Sequence, residues 1–142
     1  MIVREYDVKD LRSVFTINKT CHQKPQPNVE LLEQLHKGQT WVAVENNEVV
    51  GFLLSTYKEG PYVYNIAVLP EHRGKGIATE LFKVCHQFYN GMGYIYLYVD
   101  VTNPAQKLYF DLGYRVKRIK EDFYGHMQDA LVMIKLLNIS AE

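Results

Sequence analysis

Apolar positions along this chain switch between a period of two and a period of three to four, and the switches mark out its elements. Ile2 to Tyr6 reads as a strand, and Asp7 can cap a helix that turns Leu11, Val14, Phe15 and Asn18 to one side. Lys24-Pro25-Gln26-Pro27 must break that helix, because proline lacks the amide proton and clashes with the preceding turn. Asn28 is placed to cap a second helix, Val29 to His36, which Gly38 closes. Trp41 to Glu45 and Val49 to Tyr57 read as a hairpin around Asn46-Asn47, and Gly60-Pro61 turns into a strand from Tyr62 to Leu69.

The next helix buries Ile77, Leu81, Cys85 and Phe88, with Ala78 and Phe82 alongside, and stops at Asn90-Gly91. Tyr94 to Val101 is a strand, and Pro104 to Leu112 is a short helix ended by Gly113. Tyr114 to Lys120 and Ala130 to Leu137 are two last strands. The order β-α-α-β-β-β-α-β-α-β-β predicts an α/β chain of the α+β type, a mixed sheet with helices on its faces. Neither repeats nor low-complexity segments interrupt it, and 142 residues suit one domain, 1–142, able to bury a core without disulfides or metals.

Candidate chemistry concentrates between Val68 and Cys85. The strand ends in Pro70-Glu71-His72 and meets Arg73-Gly74-Lys75-Gly76-Ile77-Ala78-Thr79 at the mouth of a helix. The first N–H groups of a helix have no partner of their own, and the macrodipole favours an anion there. Two glycines let the backbone approach phosphate oxygens without a Cβ in the way. The stretch is neither a Walker loop, which needs Gly-x-x-x-x-Gly-Lys-Ser/Thr, nor a dinucleotide fingerprint, whose third glycine is Thr79 here.

Composition narrows the partners. Sixteen basic residues balance sixteen acidic ones, so charge offers no reason to expect nucleic acid or an anionic membrane. Arg115, Lys117, Arg118 and Lys120 read as a solvated strand face that could brush a ligand's phosphate tail. No apolar run approaches the length of a membrane span, and the N-terminus has no signal-peptide core. Cys21 and Cys85 lie far apart and suggest reduced thiols in a cytoplasmic protein. The histidines at 22, 36, 72, 86 and 126 lack metal-ligand spacing, and Cys21-His22 is a poor thiol pair because sequence neighbours rarely face one substrate.

A second constellation runs Asn103-Pro104-Ala105-Gln106-Lys107-Leu108-Tyr109-Phe110, then Leu112-Gly113-Tyr114. Ala105, Leu108, Tyr109 and Leu112 share a helix face, so packing alone explains Tyr109, although its hydroxyl needs a partner when buried. With both motifs the chain resembles the GCN5-related N-acetyltransferase family. VLPEHRGKGIATELF is similar to that family's Arg/Gln-x-x-Gly-x-Gly/Ala motif, met by Arg73, Gly76 and Ala78, and NPAQKLYFDLGY to its Asn…Ala-x-x-Leu-Tyr…Gly-Phe/Tyr motif.

The resemblance implies a mostly antiparallel sheet splayed between its fourth and fifth strands, with helices on both faces. The pantetheine arm of acetyl-CoA would lie in that cleft and pair with backbone groups of Ile66, Ala67 and Val68. Its pyrophosphate would sit on amides from Gly74 to Thr79, including Lys75, Gly76, Ile77 and Ala78, and Asn103 would help to hold the cofactor. Tyr109 would stand near the sulfur. A phenol titrating near 10 is a weaker acid than a thiol near 8.5, so full proton transfer is uphill by roughly 2 kcal/mol and a hydrogen bond to developing thiolate is the safer role. The implied reaction is direct acetyl transfer to an amine in a ternary complex. It needs no covalent acyl-enzyme, no metal and neither cysteine.

The chain departs from the family pattern in two ways. One residue fewer separates Asn103 from Tyr109, so either Thr102 or Asn103 takes the cofactor-contacting place. Where many members carry a carboxylate or histidine as general base, this sequence has Asn65 and Tyr98, or Leu97, with Asp100, Glu71 and His72 as nearby candidates. A site without a dedicated base suits an α-amine, titrating near 7.7–8.0, better than lysine near 10.4, where the free amine is ~300-fold scarcer. Phe123-Tyr124 and the strand from Gln128 to Met133 resemble the aromatic loop and last strand of protein N-terminal acetyltransferases; a hairpin loop packed on the core explains them equally. The segment Asn18 to Asn28 gives no readable specificity. Tyr94, Tyr96 and Tyr98, with Tyr62 and Tyr64, are core packing or, less simply, a substrate wall. A peptide or protein α-amine is the expected acceptor, with a small-molecule amine or a non-catalytic acyl-CoA-binding module as alternatives.

Overall fold

A computed structural model describes residues 1–123 and 129–137. The strands are β1 (Ile2–Glu5), β2 (Gln39–Glu45), β3 (Glu48–Tyr57), β4 (Pro61–Val68), β5 (Tyr94–Asp100), β6 (Arg115–Lys120) and β7 (Ala130–Leu136). The helices are α1 (Leu11–Cys21), α2 (Asn28–Lys37), α3 (Ile77–Phe88) and α4 (Gln106–Asp111). The strands form one sheet in the order β1-β2-β3-β4-β5-β7-β6. Antiparallel registers join β1 to β2, β2 to β3, β5 to β7 and β6 to β7, whereas β4 meets β5 in parallel at Tyr62↔Tyr96. Parallel neighbours need a crossover, and α3 supplies it. The mixed, mostly antiparallel α+β class read from the sequence is the one observed.

The chain divides into two compact units, one of Met1–Tyr57 with Tyr64–Phe88, the other of Lys58–Val63 with the chain from Tyr89 onward. In the first, strand alternation decides which helix lies on which face. Val42 pairs with Phe52, and these with Leu54 and Ala67 form a core with Val14 and Ile17 of α1 and Leu31 and Leu35 of α2. The intervening Trp41 turns the other way and meets Phe88 of α3 edge-on at 5.4 Å. Each such fully buried aliphatic side chain contributes about 1.5–3 kcal/mol.

Local rules explain most boundaries. Asp7 accepts from the Lys9 amide and Asp10 from the Asp7 amide, a capping box that leads into α1. Arg4 clamps the same Asp10 through two contacts of 2.9 Å, and its guanidinium holds the carboxyl below the usual carboxylate range against the opposing effect of burial. Asn46 and Asn47 both take positive φ, the geometry of a two-residue hairpin turn.

Two expectations need correction, Asn28 and Phe88. Asn28 does not cap α2 but lies inside it; Pro27 occupies the cap and its carbonyl accepts from Glu30 and Leu31. Gly38 does close α2, its N–H donating to the Gln34 carbonyl, but without a left-handed turn (φ −97°); a Cβ there would stand 2.2 Å from the Ser55 carbonyl oxygen, so close approach explains the glycine. Phe88 is 54% exposed, because the i, i+4 row through 77, 81 and 85 continues to Tyr89, which is buried.

The second unit carries the tyrosines. Tyr62 stacks on Tyr96 at 4.8 Å and meets Tyr98 edge-on, and Tyr98 stacks on Phe123 at 4.5 Å. The Tyr94 hydroxyl donates to the Glu59 carbonyl and that of Tyr96 to the Lys58 carbonyl. Gly60, at φ +136°, is required beside them, since a Cβ would lie 2.6 Å from the Tyr94 hydroxyl. Cross-strand packing and anchoring of the 58–60 turn therefore account for Tyr94 and Tyr96. The basic strand β6 is exposed along its whole length at the sheet edge, where cations discourage pairing with another chain.

Candidate active site

The first unit carries a strand end, a glycine loop and a helix start. After Val68 the chain makes a short helical turn, Pro70–His72, then exposes Arg73 to Gly76 before α3 begins at the buried Ile77. Gly74 and Gly76 have φ of +78° and +81°, and a Cβ on either would meet nothing within 4 Å. Positive φ explains why both are glycine, and the open space above them leaves room for a ligand. The N–H groups that begin α3 have no intrahelical carbonyl to bond, so the loop offers an anion-binding concavity.

Flanking side chains brace this loop. The Arg73 Nε donates to the Val68 carbonyl at 2.9 Å, which ties the loop back to the strand it left. Glu45 lies 3.1 Å from the His72 ring and 3.5 Å from the Lys75 ammonium. Burial works to raise the Glu45 pKa, but the His72 hydrogen bond and the Lys75 charge outweigh it and hold the carboxyl below its usual range. His72, one candidate base, is thus engaged, and Lys75 is shared with a carboxylate. The Val68 carbonyl, expected to help pair the cofactor, also receives the Cys21 thiol at 3.4 Å. Burial pushes the thiols of both Cys21 and Cys85 up, so neither is disposed to act as a thiolate.

Beside that strand end stands a polar network that the sequence did not disclose. His22 Nε2 is 2.9 Å from Asn65 Oδ1; Asn65 donates to Asn18 Oδ1 at 3.0 Å; Asn18 donates to the Gln26 carbonyl at 3.2 Å. The Gln26 amide reaches the Tyr64 hydroxyl, whose pKa burial raises. Asn18 is wholly buried and Asn65 nearly so. Two signals pointed here: a buried asparagine on the apolar face of α1, and an asparagine at a strand position where a base was sought.

Tyr109 and Asn103 belong to the second unit. Tyr109 is the buried member of the α4 face, 7% exposed, with its ring edge-on to Tyr114 at 6.2 Å. Asn103 accepts from the Ala105 amide and so shapes the turn into α4, while its own amide donates to the Asp100 carbonyl. Asp100 receives both the amide and the hydroxyl of Thr102, and these bonds hold its carboxyl below the ordinary range, the wrong direction for a base. Lys120 sits over the rings of Tyr98 and Phe123. Tyr124 and Gln128 of the suggested aromatic loop lie outside the described residues.

Comparison with known proteins shows the family. Residues 8–114 match the model of the Acetyltransferase (GNAT) family. An uncharacterized N-acetyltransferase of Methanocaldococcus jannaschii is 32% identical over 142 residues, covering 95% of this chain and 91% of that protein. An N-alpha-acetyltransferase of Saccharolobus solfataricus is 31% identical, covering 95% and 92%. Among solved structures, Arabidopsis thaliana NAA60 in complex with a bisubstrate analogue superposes with a TM-score of 0.86 at 21% identity, covering 98% of this chain and 99% of that one. The same protein has been solved with acetyl-CoA.

Proposed function

The chain belongs to the acetyltransferase (GNAT) family and is an N-acetyltransferase, and from that premise we propose that it moves the acetyl group of acetyl-CoA onto the α-amine of a peptide or protein. The open glycine loop at the start of α3 carries the reading, because it presents unbonded amides with no side chain filling the space above them. The pyrophosphate binds the amides from Gly74 to Thr79, and the pantetheine arm runs along the backbone of Ile66, Ala67 and Val68. Asn103, or Thr102, assists. The amine attacks the thioester carbonyl directly, a backbone amide near Val68 holds the oxyanion, and Tyr109 donates a hydrogen bond to the leaving thiolate. The two high-pKa thiols favour this direct route over an acyl-enzyme. The relative from Saccharolobus solfataricus supports an α-amine as acceptor.

Calorimetry with acetyl-CoA, followed by thiol release on a panel of peptides differing only at the first residue and on small-molecule amines, tests the proposal. Turnover of peptides is the expected result. Turnover of small amines alone reassigns the acceptor, and binding without any turnover makes the chain an acyl-CoA-binding module.

A further inference from the structure

Of the candidates first considered, Asp100 is bonded twice by Thr102, Glu71 is exposed in the turn before the glycine loop, His72 is held at that loop by Glu45 through one ring nitrogen, and Asn65 is an amide. Resting on the transferase reading above, we propose that His22 accepts the proton of the attacking amine on Nδ1, and that Asn65 and Asn18 fix its ring in the form that can do so.

The argument follows hydrogen-bond direction from one fixed end. A backbone carbonyl only accepts, so the Asn18 atom facing the Gln26 carbonyl must be its NH₂ group. Asn18 Oδ1 then faces Asn65 and takes a bond from the Asn65 NH₂. Asn65 Oδ1 is left facing His22 Nε2 and needs a donor. The neutral imidazole therefore carries its hydrogen on Nε2 and its lone pair on Nδ1, for which no partner is found among the described residues. Protonation of Nδ1 leaves the Nε2–H bond in place, so the network accommodates both forms without rearranging. Turning Asn18 over would set its oxygen against the Gln26 carbonyl, and turning Asn65 over would set its oxygen against Asn18 Oδ1, costly arrangements for groups this buried.

Position supports the role. His22 is the first residue beyond α1, half-buried, with extended backbone (φ −119°, ψ 134°). Its neighbour Cys21 touches the Val68 carbonyl, so this corner lies at the strand end assigned to the thioester. Arg73 and Glu71 of the loop are the charged groups that act on the neighbouring Cys21, and Tyr64 of β4 joins the network by way of Gln26. Within 18–28, a segment without readable specificity, Gln26 Oε1 is also buried without a partner among the described residues. The step balances: an N–C bond forms, the C–S pair departs on sulfur, the nitrogen gives one proton to Nδ1, and the imidazolium returns it to solvent while the thiolate takes another. An imidazole is better matched to an α-ammonium near 7.7–8.0 than to a lysine near 10.4.

The test compares wild type, His22→Gln and Asn65→Ala with acetyl-CoA and the peptide best used in the panel. Glutamine keeps a donor for Asn65 but cannot take a proton. Expected for His22→Gln are a fall in kcat/KM of ~100-fold or more, loss of the acid limb of its pH profile and acetyl-CoA affinity within ~2-fold of wild type. Asn65→Ala should lose ~10-fold and shift that limb, and added imidazole should restore part of the rate to His22→Ala. Nitrogen NMR of the wild-type ring, which needs no variant to fold, should show the hydrogen on Nε2. Turnover by His22→Gln within ~3-fold of wild type with its acid limb intact, or a ring protonated on Nδ1, overturns the inference alone. Wild-type protein that acetylates no amine overturns the transferase reading, and this inference with it.

Discussion

The glycine loop opening α3 and the asparagine network beside β4 occupy the same unit and are built by opposite means. The loop, Arg73 to Gly76, is exposed, and its chemistry is main-chain: positive-φ glycines and amides that no carbonyl claims. The network is interior and its chemistry is side-chain, drawn from α1, the segment after it and a strand more than forty residues away. A site made of backbone must be written contiguously, because neighbouring amides come from neighbouring residues. A site made of side chains can be assembled from anywhere that packing brings together. The first leaves its amides unpaired and contributes little to stability; the second pairs its groups with one another and stabilises the fold.

That contrast can be broken by substitution, beginning with a residue that belongs to neither. Tyr109→Phe should lower kcat by ~100-fold or more while acetyl-CoA affinity stays within ~2-fold, as steady-state kinetics beside calorimetry would show. Equal turnover would remove the hydroxyl from the chemistry. Gly76→Val forces a branched side chain into positive φ and fills the cradle; acetyl-CoA affinity should fall by ~100-fold, with the unfolding free energy down by only about 1–2 kcal/mol. A large stability loss with intact affinity would mean that the loop is structural after all.

Asn18→Ala should do the reverse. It leaves Asn65 and the Gln26 carbonyl without their partners in the interior, so urea unfolding should report a loss of about 2–3 kcal/mol, with acetyl-CoA affinity unchanged. Glu45→Gln should act least, through charge alone. Releasing His72 and Lys75 should change acetyl-CoA affinity by ~2-fold at low salt and not at high salt. Because the folded Glu45 carboxyl is held below its ordinary value, its bonds to His72 and Lys75 are complete above the usual glutamate range and are lost as pH falls through the lowered value. The wild-type difference from Glu45→Gln should vanish in the same direction.

Periodicity and turn chemistry alone were sufficient for the element order, the Asp7 cap, the Asn46-Asn47 hairpin, the α+β class and the glycine loop, since each depends on residues close together in the chain. Phe88 was misjudged because helix phase at the last turn is set by what packs there. Tertiary structure alone decided that Asn18, His22 and Asn65 meet, that Asp100 serves a turn, and that His72 answers to Glu45. Their partners lie up to 47 residues away, and hydrogen-bond direction exists only once both ends are in place.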